Sequence, residues 1–178
     1  AEANVFGFFA TDLSLNIADF ITIEGNVSFT AGTVPGLGAV SMFAGDGIDI
    51  FMGLGPIKNA DGTRNPNAIG VLISNATLGL VKVGTSTYAL DATGDLRFIG
   101  LDGLVVSATN VHLRINDTGL AVNNVQLTIP NTPRSVTVNF PSDSLVTDFS
   151  AAIQISVLNV FNLSGTVAFS RKPNASVQ

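Results

Sequence analysis

A chain of 178 residues with 46% hydrophobic and only 12% charged residues has apolar material for one continuous core, too little length for two ordinary domains, and too little charge for disorder. A net charge of −5 with eight Lys and Arg set singly argues against a nucleic-acid partner or a polybasic anchor. The absence of Cys and Trp, with a single His, leaves few of the residue types that build catalytic, zinc and redox centres. No apolar run approaches the roughly eighteen residues of a spanning helix, so no membrane insertion is expected. The opening AEANVFGFF carries no basic segment before a long apolar stretch, so any export signal is expected to have been removed or to lie elsewhere in a larger precursor.

Along the chain the dominant period is two. Leu13, Leu15, Ile17, Ile21, Ile23, Val27 and Phe29 are apolar, with Ser14, Asn16, Thr22, Glu24, Asn26 and Ser28 between them, the pattern of half-buried strands. PGLGAV at 35–40 and GLGP at 53–56 fit neither dinucleotide nor phosphate-loop spacing and read as loops. GVLISNATLGL at 70–80 echoes GLVVSATNVHL at 103–113, which suggests stacked strand-turn-strand modules. VHLRI at 111–115, VQLTI at 125–129 and VTVNF at 136–140 repeat the alternation between Gly, Asn, Asp or Pro. No stretch carries a helical stripe, and β-branched residues recur throughout. The sequence predicts an all-β fold: an elongated, mostly antiparallel structure, either a sandwich or a solenoid-like stack.

The two ends of the chain match. With an offset of 140, residues 9–30 lie over 149–170: Phe9, Gly25, Val27 and Phe29 return as Phe149, Gly165, Val167 and Phe169. Asp19 and Asn159 both interrupt the apolar series, which reads as a shared bulge or corner, and Gly25 and Gly165 both remove a side chain beyond it. Residues 1–30 then read as the terminal strands of a preceding repeat, 31–170 as one complete repeat, and 171–178 as the start of the next or a tail. Residues 9–30 and 149–170 are expected to follow the same backbone course.

Few residues invite a chemical reading. In VHLRIN, Val111, Leu113 and Ile115 take the inward face, leaving His112 outward with Arg114 and Asn116; His112 is expected to face solvent with no carboxylate to orient it. Asp46, Asp49 and Asp61, with Asn59 and Asn65, offer the oxygen ligands calcium prefers, but their order breaks the EF-hand pattern and Asx-turn chemistry accounts for them. Asp91, Asp95 and Asp102 are the nearest candidates for the clustered acids that a hydrolase of the β-solenoid type would need, yet LDATGDLRFIGLDG reads more simply as strands and turns. Five N-x-S/T triplets begin at Asn26, Asn75, Asn116, Asn162 and Asn174. TST at 85–87 occurs once, without the fixed-period Thr rows of an ice-binding face. Tyr88 and Phe98 are the aromatics that a binding module would set beside Asn and Asp. No catalytic residue and no cofactor is expected, calcium being the one candidate ion.

The segments NPNAIGVLISNATLGLVKVGTSTYALDATGDLRFIGLDGLVVSATNVHLRINDTG (65–119) and DFSAAIQISVLNVFNLSGTVAFS (148–170) resemble the repeat units of very large bacterial surface and secreted proteins, the adhesin-like giants. The calcium-binding nonapeptide GGxGxDxUx of toxin-type repeats is absent. The resemblance implies an extracellular or cell-surface, tandemly repeated stalk or fibre. The residues themselves lead the same way, since a repeat without linkers or catalytic residue types suits length and stiffness. The expected function is a non-enzymatic β-rich spacer of a filament, adhesin stalk or biofilm matrix, whose partners are neighbouring copies end to end. A glycan- or protein-binding β module is the alternative.

Overall fold

The computed structural model describes residues 6–17, 21–129, 132–158 and 160–171, and it is all-β and antiparallel. The strands are β1 (Phe6–Ile17), β2 (Ile21–Val34), β3 (Gly38–Leu54), β4 (Ile69–Val83), β5 (Thr87–Ile99), β6 (Leu104–Asn116), β7 (Val122–Thr128), β8 (Ser135–Phe140), β9 (Val146–Val157) and β10 (Phe161–Arg171). Eight of them form one open sheet in the order β1-β2-β3-β4-β5-β6-β9-β10, while β7 and β8 pair separately as a hairpin. The expected all-β, antiparallel character holds; in place of a sandwich or solenoid-like stack the described strands form one long open sheet with a two-stranded cover.

Among the described residues, the cover lies on one face. The hairpin sets Val122, Val125, Leu127, Val136, Val138 and Phe140 against Val40, Ala44, Val81 and Ala89 of β3, β4 and β5. Gly79 of β4 makes the close approach possible, because a Cβ there would lie 2.7 Å from a Val138 methyl and 2.8 Å from a Val136 methyl. Both neighbours are β-branched and stiff at χ1, so they cannot turn aside. Gly79→Val is expected to lower stability by about 2–3 kcal/mol by overpacking, measured by urea unfolding. Farther along the same face, Phe51, Leu72 and Ile99 pack against Ala68 and Ile57 of the 55–68 loop. That loop is shaped by Asx turns, as its sequence predicts: Asp61 Oδ1 accepts from the Thr63 N–H at 2.9 Å, and Asn65 Oδ1 from the Asn67 N–H at 2.9 Å.

Halfway along the strands, a line of irregularities crosses the sheet. The registers shift between Ala10 and Leu13, Glu24 and Asn26, Gly45 and Ile48, Ser74 and Thr77, Gly94 and Leu96, and Thr109 and His112. Extra residues bend a strand and leave a backbone group without its ladder partner. Asn75 and Asn110 take positive φ at two of these bulges, 53° and 51°, a conformation Asn tolerates better than most residues. A carboxylate from the preceding strand satisfies each freed amide: Asn75 N–H donates to Asp49 at 2.8 Å and Asn110 N–H to Asp95 at 3.0 Å. These Asn residues lie 35 apart, whereas the echo between 70–80 and 103–113 aligned residues 33 apart, so the sequence echo was two residues out of step with the bulges.

Two apolar rows cross much of the opposite face of the sheet. One cross-strand row runs Phe8, Phe29, Phe43, Leu80, Leu90, Ile115, and a second, beyond the bulges, runs Ile23, Ile50, Ile73, Leu96, Ala108, Ile153. Neither the hairpin nor the 55–68 loop reaches this face. Strand parity in β6 was correct but its sense was inverted: Val111, Leu113 and Ile115 look toward the uncovered face, while Arg114 and Asn116 look toward the hairpin side, with Asn116 at 0% exposure.

The terminal hairpins can be compared directly. Under the 140-residue offset, β1 begins and ends with β9, and β2 begins with β10. Leu13 pairs with Gly25 and Ile153 with Gly165, but farther out Ala10 faces Val27 while Ala151 faces Val167, so the backbone courses part by one residue there. The expectation of one common course thus holds for strand limits and fails for register. Asp19 and Asn159 lie outside the described residues, as does 172–178. Gly25 has φ 143°, and a Cβ on it would stand 2.8 Å from the Ile48 backbone; the same atom on Gly165 meets nothing within 4 Å. The difference has a simple cause: β2 has β3 beside it, and β10 is the last strand of the sheet.

Candidate functional site

The residues singled out as ligands are placed apart and individually engaged. Asp46 accepts from Arg134 Nη1 at 2.7 Å, which ties β3 to the segment before β8. Asp49 serves the Asn75 amide. Asp61 serves Thr63, whose hydroxyl and N–H together hold the carboxyl below the usual range. Among the described residues, no three His, Cys, Asp or Glu side chains gather as a metal site. Asp95 caps Asn110, and Asp102 lies in the exposed β5–β6 turn. Tyr88 is half-buried, with its N–H bonded to the Asp117 carboxylate, and Phe98 is exposed on the apolar face. Of the glycosylation triplets, Asn116 is excluded in the folded chain, since its side chain is buried and bonded to Leu120 O and Thr118.

His112 departs from the expectation that no carboxylate orients it. Its side chain is 40% exposed, as expected, but its Nε2 lies 2.8 Å from Asp91 Oδ1, so a carboxylate does orient it. The other Asp91 oxygen accepts from Arg114 Nε at 3.0 Å, and Arg114 Nη2 donates to the Asn139 carbonyl at 2.7 Å. The guanidinium carbon also stands 4.6 Å from the centre of the Phe140 ring. Asp91 thus holds an arginine that fastens the β7–β8 hairpin to the sheet. Ser150 is opposite His112 in the ladder, yet no hydrogen bond joins the two. The cluster is a clasp in this arrangement, with no nucleophile bonded to its base. Asp91→Asn is expected to lower stability by about 1–2 kcal/mol, measured by urea unfolding, with the Arg114 bond to Asn139 retained.

Two larger features remain: the open edges and the uncovered face. Every described residue of β10 is exposed, including Phe161, Leu163, Val167 and Phe169, and β1 exposes Phe8 and Phe9. An edge strand with apolar side chains and an unpaired row of backbone groups is a template for another strand. Among the described residues, no helix is long and apolar enough to cross a membrane. Compared with protein-family models, curated proteins and solved structures, the chain matches none.

Proposed function

We propose that the chain is a structural unit of a linear, extracellular assembly of the bacterial surface type, joined to its neighbours by continuation of the sheet. The observation that carries this reading is the pair of terminal hairpins with coincident strand limits at opposite ends of one open sheet. In a tandem chain, with β9–β10 in the place of β1–β2, the strand due beside β10 is the β3 of the following repeat; between separate chains, whose β3 is paired with β2 and β4, the strand open to β10 is β1. The space at Gly165 supports the tandem case, because it is the space that Ile48 of β3 takes up beside Gly25. The neighbour then supplies main-chain hydrogen bonds along the edge and apolar cover for Phe161 to Phe169. The unit works as a stiff spacer, without catalysis.

Sedimentation velocity of the isolated chain over a hundredfold concentration range, with electron microscopy of the largest species, tests the reading. Expected is a series of end-to-end oligomers one sheet wide. A compact monomer at all concentrations would sink the fibre reading and move a binding module ahead.

A further inference from the structure

We propose that the uncovered face of the sheet is a docking surface for the same face of a second copy, so that two chains close a β-sandwich with the apolar rows as its shared core. Between the two rows already described lies a third, which passes through Leu78, Ala92, Leu113, Phe149 and Phe169. From β2 to β9 no charged side chain stands in any of the three. Phe8, Phe98, Phe149, Phe161 and Phe169 lie on this face at 36–58% exposure. At about 200 Å² for each Phe, these five alone leave about 500 Å² of hydrocarbon open, as much as the largest apolar patch of an ordinary monomer.

Extent and chemistry select the occupant. Eight strands about 4.8 Å apart make the face about 38 Å across, and the three rows take up about 20 Å of strand length, so one copy offers roughly 800 Å². That is what each partner contributes to a stable complex. A lone helix about 10 Å wide would cover about a quarter of the width. Backbone groups of the sheet belong to its ladders, so an extended peptide laid on this face would leave its own amides and carbonyls without partners. Segments of this sequence outside the described residues run to seven residues at most, about 23 Å of a single strand. A second copy fits, because it brings the same strands, rows and twist, and sheets of one twist stack about 10 Å apart with their strands within about 30°. An apolar sheet face calls for a second layer, and among the described residues this chain supplies one only on the hairpin side.

The pairing is isologous: each copy presents the same surface, so it closes at two chains and leaves β1 and β10 free. It does not rest on edge-to-edge growth. With growth, the fibre is one sheet wide and two sheets thick; without it, the chain is a dimer. Charge fixes the direction of the twofold axis. Lys82 is exposed at one end of the face, in the row beyond Leu80 with Ser41 and Tyr88. An axis running across the strands sets that end over the far end of the other copy and keeps the two ammonium groups apart. The same axis stacks β1 over β1 and β10 over β10.

The test follows the full chain by sedimentation and by methyl NMR with a soluble paramagnetic probe. The unaltered chain is expected to sediment in multiples of two, with the methyls of Ile50, Ile73 and Leu96 losing contact with the probe as concentration rises. Phe98→Glu on β5 and Phe149→Glu on β9 each place a charge on the face, away from both edge strands, at a side chain exposed in the single chain. Either should raise the concentration needed for pairing at least tenfold and return the three methyls to the probe, with the urea midpoint of the dilute chain nearly unchanged. If one variant fails to fold, the other and the probe measurement on the unaltered chain still decide. A dimer that grows no further would end the end-to-end reading and keep this one. Growth in single-chain steps with the methyls still exposed would do the reverse. Pairing that both charges leave unaltered would overturn the proposal, and so would binding of the dilute chain to phosphatidylcholine vesicles through the same methyls, which would make a lipid surface the occupant.

Discussion

Val138→Asp is expected to unfold the chain or to lower its stability by at least about 4 kcal/mol, read as loss of the cooperative urea transition or a large fall in its midpoint. Val138 is 0% exposed and sits over Gly79, where the hairpin comes closest to the sheet. A carboxylate there has no cation among its neighbours: Arg114 is committed to Asp91 and Asn139, and Arg134 to Asp46. The size of the effect follows from the layout. Among the described residues the hairpin side carries most of the buried side chains, and losing the hairpin leaves that side of the sheet bare. Thr137→Asp, one residue away on the exposed side of β8, should change stability by less than about 0.5 kcal/mol.

The double substitution Leu163→Lys and Val167→Lys on β10 is expected to raise the concentration needed for assembly at least tenfold while leaving the unfolding midpoint nearly unchanged. Both side chains are exposed, at 47% and 39%, so the fold does not rest on them. Lysine on an edge strand opposes strand addition, because an incoming strand would have to bury or displace the charge. Light scattering against concentration and thermal unfolding give the two readouts. Unchanged assembly would mean that β10 is not the growing edge.

Much of the backbone was legible. Alternation placed strands at 13–29, 111–115, 125–129, 136–140 and 153–169, and a period of two needs only local sequence to be seen. The inward and outward sense of that period was not legible in β6. The rule that apolar residues face the core assumes a face with cover, and here the apolar row Val111, Leu113, Ile115 faces away from the hairpin. The clasp was hidden for a related reason. Asp91 reaches His112 across the β5–β6 ladder, although His112 directly opposes Thr93, and that register depends on the bulge between Gly94 and Leu96. Bulges at Asn75 and Asn110 look in sequence like the turn residues that Asn commonly marks, so SNAT and ATNV gave no sign that they bend the middle of long strands. Asp46, Asp49 and Asp61, weighed as calcium candidates beside Asx-turn chemistry, bond Arg134, the Asn75 amide and Thr63, a use of Asp that spacing alone does not separate from metal binding.

The central claim is that β10 pairs with the open β1 edge of the next copy, and amide hydrogen exchange tests it most directly. Exchange is measured residue by residue on the full chain when dilute and when assembled. The account predicts that amides of 161–171 on the outer side of β10 exchange rapidly in the dilute chain and become strongly protected on assembly, with β1 protected in parallel and the β7–β8 hairpin unchanged. Assembly that leaves both edges exchanging as before, with protection appearing on any other surface, would contradict it.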